Sequence, residues 1–316
     1  MTAIVPYQPP MAAALVAIWR AAAGEHHPIP DELWTAGTVG DPGFLAGDLL
    51  VAQEGEVPVG FVLTKRWRGR DPGCERYLPI GYVALMAVHP RWQGRGIGRR
   101  LLVTAESQLR AAGATKSVLA GSFHHFFAGV PDWATAARKL LLSAGYGLGD
   151  DVWDVRRSLA AEPPLPEVPP VAGVSLRPYR TDEAEALIGF LNDAFPGRWP
   201  RDVQHFLQSG GPIDQVMGLF AGDLPCGFAH LHPPGTAGAG RWSGLVPGIA
   251  ALGPIGVSEA QRGRGLGMAL LIAGLHELRR LGADEVVIDW TDLLDFYGRV
   301  GFQPWLRYTL ASKALA

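Results

Sequence analysis

Cysteine is almost absent from this sequence. The two cysteines, Cys74 and Cys226, lie far apart among 316 residues and form no Cys-x-x-Cys pair. That spacing excludes a disulfide framework and a zinc ribbon. The adjacent pair His124-His125 lacks the i, i+4 spacing of helical zinc ligands, so we predict no metal site. So few cysteines are typical of a protein of the reducing cytoplasm.

Long apolar runs are also lacking. The start of the chain has no basic region before its apolar residues, and the apolar run there stops at Arg20. The longest uncharged apolar stretch, from Gly244 to Val257, is interrupted by glycine and proline and is too short to span a bilayer. These features predict a soluble cytoplasmic protein without a membrane partner.

The sequence has no excess of basic charge. Charged residues make up 18% of the chain, the formal net charge is −2, and Lys and Arg form no dense run. We therefore predict no nucleic-acid partner, whereas a small anionic ligand remains open. Hydrophobic residues reach 48%, which is enough for two ordinary domains to bury separate cores.

What the sequence does contain is an internal repeat. Four anchors recur in the same order, and the matching segments are Ile4–Trp19 with Leu176–Leu191, Glu56–Val62 with Asp223–Ala229, the strings at Gly94 and Gly263, and Gly145 with Gly301. Duplication of one domain explains this order. The predicted divisions are an N-terminal domain (1–159), a proline-rich linker (160–173) and a C-terminal domain (174–316).

Both halves have the same predicted order of elements. A helix (Met11–Ala23 or Thr181–Ala194) is followed by a second helix, a hairpin of two strands and a third strand that enters a glycine-rich turn. An amphipathic helix then begins, and a further strand, helix and strand follow. The order indicates a mixed α/β fold with a glycine turn between a strand and a helix.

The strings WQGRGIGRRLL and QRGRGLGMALL contain that turn. A dinucleotide fold requires Gly-x-Gly-x-x-Gly, but its third glycine falls on Arg99 or Met268. A P-loop requires Gly-Lys-Ser/Thr, which is missing after Gly98 and Gly267. The remaining hypothesis is a pyrophosphate cradle, in which glycines bare the backbone N–H groups at a helix start.

In this strand–turn–helix context the strings resemble motif A of the GNAT superfamily of acyl-CoA N-acyltransferases, with the pattern [QR]-x-x-G-x-[GA]. The resemblance covers nearly the whole chain, twice. It implies two tandem domains, each with a central, mostly antiparallel sheet, a splayed central strand pair and flanking helices. It also implies acetyl-CoA as cofactor. The implied cofactor-binding residues are Met86, Ala87, Val88, Gln93, Gly94, Arg95, Gly96, Ile97, Gly98 and Arg99, and Ile255, Gly256, Val257, Arg262, Gly263, Arg264, Gly265, Leu266, Gly267 and Met268.

The family also carries a bulge in the strand before the glycine turn, which opens a cleft for the cofactor arm. Pro254 fits such a bulge, because proline removes one hydrogen bond of the ladder. An edge position would accommodate the same proline.

Acyl transfer to an amine requires an acid for the leaving thiolate. The resemblance implies a tyrosine for this role, and the segment DFYGRVGF places Tyr297 there, whereas the first half has Leu141. We therefore predict an N-acetyltransferase that moves acetyl from acetyl-CoA directly to a primary amine in the C-terminal half. The N-terminal half is then degenerate or uses another acid. The alternative is a non-catalytic coenzyme-A-binding or sensing protein.

The sequence leaves the general base and the acceptor open. Asp289 either faces the cleft or caps the next helix, and capping is the favoured interpretation. His230 and His232 alternate on one strand face. The predicted acceptor is a small-molecule or peptide amine. The sequence does not define the oligomeric state of the protein. Candidate pocket residues are Glu25, His26 and His27 with their counterpart 195–199, and His124 and His125 with Phe123, Phe126 and Phe127.

Overall fold

The computed structural model describes residues 2–41, 43–69, 71–161 and 163–315. The other positions of the predicted domains and linker (Met1, Pro42, Arg70, Glu162 and Ala316) lie outside the described residues. The chain divides into two compact units. The N-terminal unit comprises Met1–Gly69, Arg76–Trp153 and Leu306–Ala316, and the C-terminal unit comprises Arg70–Glu75 and Asp154–Trp305. The predicted domain bounds follow the repeat in the sequence, whereas these two units follow contacts in the structure. The bounds therefore stay a prediction.

The N-terminal unit has a mixed sheet with helices. Its strands are β1 (Ala3–Pro6), β2 (Leu49–Glu54), β3 (Val57–Arg66), β4 (Ile80–Val88), β5 (Lys116–Leu119), β6 (Val130–Pro131), the first part of β7 (Gly147–Ser158) and the last part of β13 (Gln303–Ala314). Its helices are α1 (Ala12–Ala23), α2 (Asp31–Gly37), α3 (Ile97–Ala111) and α4 (Thr135–Ser143). The strand order is β1-β2-β3-β4-β5-β13, and β4 and β5 pair in parallel.

The C-terminal unit has the corresponding elements. Its strands are the second part of β7, the whole of β8 (Ser175–Pro178), β9 (Val216–Ala221), β10 (Leu224–His232), β11 (Ile249–Val257) and β12 (Glu285–Thr291), and the first part of β13. Its helices are α5 (Ala184–Ala194), α6 (Arg198–Gln208), α7 (Gly240–Ser243), α8 (Leu266–Arg280) and α9 (Leu294–Gly298). The strand order is β7-β12-β11-β10-β9-β8, and β11 and β12 pair in parallel. Among the described residues, the helices all lack the combination of length and apolarity that spanning a bilayer requires.

The helix after each glycine turn packs against its sheet through an apolar face. The buried leucines recur at helical spacing, and they are Leu101, Leu102 and Leu109 in α3 and Leu270, Leu271, Leu275 and Leu278 in α8. Full burial of one such side chain stabilises the fold by about 1.5–3 kcal/mol. The predicted amphipathic helices are therefore confirmed, and they hold the glycine turns in place.

The central strand of each unit bulges and parts from its parallel neighbour. The pairing of β4 with β5 ends at Val83, although β4 continues to Val88. The pairing of β11 with β12 ends at Ala251, although β11 continues to Val257. One extra residue breaks the register of β4 against β3, and another does so in β11 at Gly253–Pro254. Pro254 thus lies in a bulge of a central strand. In each unit, the space between the two parallel strands beyond their last paired residues is called the split.

Candidate active site

Each unit presents a glycine turn between its central strand and the next helix. Gly94 and Gly96 have φ of 74° and 77°, and Gly263 and Gly265 have φ of 78° and 77°. These left-handed values favour glycine. The helices begin at the residue that follows each second glycine. The first N–H groups of both helices therefore point away from the helix body, at the end that attracts anions.

The first residue of each motif ties the turn to the strand end. Gln93 Nε2 donates to the carbonyl of Val88 at 2.9 Å. Arg262 Nε donates to the carbonyl of Val257 at 3.3 Å. Different side chains thus make the same contact in the two units, which fixes both turns in the same way.

The third glycine of each turn, Gly98 or Gly267, has no packing reason to be glycine. A Cβ on Gly98 would lie 3.4 Å from Leu140 Cδ2, and one on Gly267 would lie 3.8 Å from Phe296 Cζ, which are ordinary contacts. Alanine favours a helix interior by about 1 kcal/mol over glycine. A Cβ on any of the four left-handed glycines would meet no atom within 4 Å. Both turns therefore keep a bare surface of N–H groups, which fits a diphosphate.

The arginines of the turns bond to the chain itself. Arg95 Nη2 donates to the carbonyl of Arg91 at 3.2 Å, and Arg99 Nη2 donates to the carbonyl of Ser143 at 2.7 Å. Arg264 Nη2 donates to a carbonyl of the linker at 3.1 Å. The backbone N–H groups are therefore the main feature of the cradle, and cofactor binding by these guanidinium groups stays a prediction.

The candidate acid Tyr297 lies in α9. Its side chain is 6% exposed and packs edge-on against Phe302, with 5.9 Å between ring centroids. Burial, followed by the negative charges of Asp289 and Asp292, raises the pKa of Tyr297 to about 12. The hydroxyl therefore keeps its proton at neutral pH, as a general acid must.

The N-terminal unit has a leucine at the matching place. The backbone identifies the match, because Tyr146 N donates to Leu141 O at 3.0 Å and Phe302 N donates to Tyr297 O at 3.3 Å. Leu141 is 1% exposed and belongs to the apolar cluster around α3. One position thus carries an ionisable hydroxyl in one unit and a hydrocarbon in the other.

A carboxylate faces the split of the C-terminal unit. Asp289 Oδ2 accepts a hydrogen bond from Arg241 Nη1 at 2.8 Å, and the Asp289 side chain is 29% exposed. A Cβ on Gly253, in the bulge, would lie 4.0 Å from Asp289 Oδ1. The favoured role of Asp289 as a helix cap is wrong, because Thr291 Oγ1 accepts the hydrogen bond from Leu293 N before α9.

Asp154 fixes the strand end beside this carboxylate. Its Oδ1 accepts from Trp290 N at 3.2 Å, and its Oδ2 accepts from Trp242 Nε1 at 2.9 Å. Trp290 has a φ of 49°, which is uncommon for a residue other than glycine. Burial and the charge of Asp289 raise the pKa of Asp154 to about 6. Sequence reasoning missed Asp154 and Arg241, because each reaches the site from a distant part of the chain.

The two strand histidines lie on one face of β10, as the alternation predicts. The rings of His230 and His232 are 4.0 Å apart between centroids. His232 Nε2 donates to the carbonyl of Gly253 at 2.9 Å. Burial lowers the pKa of both rings, so both are neutral at pH 7. His232 therefore supports the bulged strand through its N–H.

A lysine holds the place of His232 in the N-terminal unit. Lys65 follows Gly60 by five residues in β3, as His232 follows Gly227 in β10. Lys65 Nζ lies 2.8 Å from Asp41 Oδ2, and the two side chains are only 6% and 3% exposed. The N-terminal unit thus buries an ion pair where the C-terminal unit has neutral rings.

The loop after β5 closes over this ion pair. The carbonyls of Phe123 and His124 accept hydrogen bonds from Lys65 Nζ at 3.4 and 3.3 Å. Burial by itself raises the pKa of Asp41, but the hydrogen bond from His124 and the charge of Lys65 hold it well below its usual range. Residues 121–130 are buried apart from His124, and the cavity beside them measures about 10 Å³. That volume suits about one water molecule.

Some of the other predicted pocket residues pack into the two cores, whereas Glu25, His26 and Pro196 are exposed. His27 is 1% exposed and lies 4.6 Å from Phe127 between ring centroids. Phe195 and Trp199 lie 5.5 and 5.7 Å from Phe228. In the C-terminal unit, Asp289 and His232 thus lie on the two strands that flank the bulge, and the charge of Asp289 acts on Tyr297. The role of Tyr297 as the acid stays a prediction.

A bulged, split sheet with a bare N–H cradle at a helix start, present twice, defines a coenzyme-binding α/β transferase. The chain belongs to the acetyltransferase (GNAT) family, whose family model matches residues 13–128 and 184–302. One match falls in each half of the sequence, as the repeat predicts. The protein is an N-acetyltransferase, and enzymes of this family generally use acetyl-CoA.

Three known proteins illustrate the similarity. A mycothiol acetyltransferase of a Nocardioides species is 31% identical over 245 residues, which cover 71% of this chain and 78% of that protein. A GCN5-related glucosamine N-acetyltransferase region of a fungal multi-domain GH3 beta-N-acetylglucosaminidase has a TM-score of 0.86 at 21% identity, covering 99% of this chain and 38% of the other. A tandem GNAT protein from the clavulanic acid biosynthesis pathway has a TM-score of 0.66 at 19% identity, covering 100% and 99%. The two structures show the fold alone.

Proposed function

We propose that this protein transfers acetyl from acetyl-CoA directly to the primary amine of a small molecule, and that the C-terminal unit performs the transfer. The observation that carries the proposal is the matched pair Tyr297 and Leu141. Both units present the glycine cradle, so cofactor binding does not distinguish them. The protonated hydroxyl of Tyr297 does distinguish them, because proton transfer requires a particular side chain.

The chain's own groups have separate tasks in this proposal. The cofactor supplies the acetyl group as a thioester. The N–H groups at the start of α8 bind its diphosphate, and Ile255, Gly256 and Val257 bind its arm through backbone hydrogen bonds. Tyr297 donates its proton to the sulfur when the C–S bond breaks. In the N-terminal unit, the corresponding groups at Met86, Ala87, Val88 and α3 bind cofactor without the acid.

The proposed acceptor is a polar small-molecule amine. The sequence relatives are named mycothiol acetyltransferases, and one structural neighbour contains a glucosamine N-acetyltransferase region. The split of the C-terminal unit carries the side chains of Asp289, Arg241 and His232. Charged and hydrogen-bonding groups of this kind suit an amine that bears further polar groups.

The experiment is a thiol-release assay with acetyl-CoA and a panel of deacetylated mycothiol, glucosamine and ethanolamine. We expect turnover with at least one amine, and a loss of about 10²–10⁴-fold in Tyr297→Phe. Tyr146→Phe is the matched control, because it removes a buried hydroxyl from the N-terminal unit, and its turnover should stay within about twofold. Absence of turnover with the whole panel, or a Tyr297→Phe rate within about twofold of the parent, contradicts the proposal.

A further inference from the structure

We propose that Asp289 receives the acceptor amine in the C-terminal unit and takes up its proton during transfer. The inference rests on the proposed function and names the proton acceptor that Tyr297, as an acid, does not supply. An amine must lose a proton while or before its nitrogen attacks a thioester. A carboxylate within reach of the attacking nitrogen serves both to attract the ammonium and to remove that proton.

The position of Asp289 in β12 is the first argument. The parallel pairing with β11 ends at Ala251 and Val287, and Asp289 follows two residues later, where the strands have parted. At the bulge, Gly253 leaves the space beside Asp289 Oδ1 without a side chain, since a Cβ there would lie 4.0 Å from that oxygen. The carboxylate therefore borders open space in the split, and its side chain is 29% exposed.

The fixed orientation of the carboxylate is the second argument. Arg241 binds Asp289 Oδ2 at 2.8 Å, and the following residue, Trp290, is held by Asp154 through its N–H. Trp290 also carries the guanidinium of Arg198 over its ring, 5.3 Å from the centroid. These contacts hold the strand end and fix the direction of the Asp289 side chain.

The N-terminal unit supplies the third argument. The first paired residues of β5 and β12, Lys116 and Glu285, are 169 residues apart, and the same offset aligns Ala120 with Asp289. The N-terminal unit therefore lacks this carboxylate at the aligned position as well as the tyrosine hydroxyl. Both proton-handling side chains are present in one unit and both are replaced by hydrocarbon in the other.

The proposed step balances as follows in atoms and charge. An acceptor that arrives as an ammonium first gives one proton through Asp289 to solvent, and the ionised Asp289 then takes the second proton when the C–N bond to the acetyl carbon forms. Tyr297 gives its proton to the sulfur when the C–S bond breaks. Asp289 then releases its proton to solvent and Tyr297 regains one, so that an amide and a thiol leave the site and both side chains return to their starting states.

The test begins with Asp289→Asn and the fastest amine of the panel. We expect thiol release at pH 7 to fall at least 100-fold, with the acetyl-CoA Kd from calorimetry within about threefold of the parent. The titratable and charged groups around Asp289 are Arg241 of α7, Asp154 of β7, the neutral His232 of β10, Tyr297 of α9 and Asp292 of the turn before α9, and all are retained. Below the pKa of the amine, the deficit of the variant should narrow by about tenfold for each unit by which the pH rises, because the variant depends on the neutral fraction of the amine, which grows at that rate.

Three further measurements guard against a merely structural effect. Asp295→Asn makes the same charge change at an exposed residue of α9, and its rate should stay within about twofold. Asp289→Glu should recover at least tenfold over Asp289→Asn. Asp289→Ala introduces the residue that the N-terminal unit carries and serves where the asparagine variant does not fold. Calorimetry without acetyl-CoA should show amine binding at least tenfold weaker in either neutral variant.

The outcomes separate this inference from the proposed function. The role of Asp289 is overturned by a rate for Asp289→Asn within about fivefold of the parent, or by a rate deficit of that variant that is equal at every pH. If Tyr297→Phe is inactive in the same assay, the proposed function still stands. A parent enzyme that acetylates none of the amines overturns the proposed function itself.

Discussion

The two units present the same cradle and differ in the side chains around the split. The C-terminal unit has Tyr297 and Asp289 where the N-terminal unit has Leu141 and Ala120. The cradle consists of backbone N–H groups, so it needs little more than glycine at left-handed positions. Proton transfer needs particular side chains. A duplicated binding site can therefore persist in a unit whose chemistry has been replaced.

The two central strands show the same contrast in burial. Ala84 and Leu85 of β4 are buried, whereas the aligned Gly253 and Pro254 of β11 are partly exposed. In the N-terminal unit, the pair Lys65–Asp41 and the loop after β5 fill this region. The two units therefore differ in how far the region beside the bulge is filled by the chain's own side chains.

The largest expected effect in this comparison concerns the stability of the N-terminal unit. Asp41→Asn leaves the buried ammonium of Lys65 without its counterion and should lower the free energy of unfolding by about 3–5 kcal/mol. Asp31→Asn is the control, because its pair with Arg20 is exposed and contributes about 1 kcal/mol or less. Urea denaturation measures both. Equal losses in the two variants would contradict the prediction that the buried pair contributes more to stability than the exposed one.

A smaller effect sharpens the interpretation of the cradle. Gly267→Ala places a methyl group where the protein has room, so the fold should gain up to about 1 kcal/mol in stability. The same methyl group lies where the diphosphate approaches, so acetyl-CoA affinity should fall about tenfold. Thermal melts and calorimetry measure the two quantities, and Gly98→Ala gives the same comparison in the N-terminal unit. An affinity that is unchanged in Gly267→Ala contradicts the cradle.

Much of the fold was predictable from local patterns. The two glycine strings, the leucine spacing in α3 and α8 and the repeated order of elements are all short-range signals, and the mixed α/β fold with two GNAT-type domains is confirmed. The sequence does not distinguish two interpretations of Pro254, because a proline fits both a bulge and an edge position. The hydrogen-bonded pairing of the strands distinguishes the two alternatives, and a single segment of the sequence does not specify that pairing.

The missed features depend on contacts between distant segments. Asp154 comes from the first half of the sequence but belongs to the C-terminal unit, and Leu306–Ala316 belongs to the N-terminal unit. Arg241 lies in the short helix α7, within a glycine-rich segment that has no motif. The match of Ala120 with Asp289 was readable from the sequence, because the glycine turns and the starts of β5 and β12 share one offset of 169 residues.

The central claim is that acetyl transfer takes place in the C-terminal unit, and paired substitutions in the two cradles test it most directly. Gly265→Val and Gly96→Val place the same branched side chain at equivalent left-handed positions. In the thiol-release assay, Gly265→Val should lose at least 90% of turnover, whereas Gly96→Val should stay within about twofold of the parent. Loss of turnover in Gly96→Val, with Gly265→Val still active, would contradict the account.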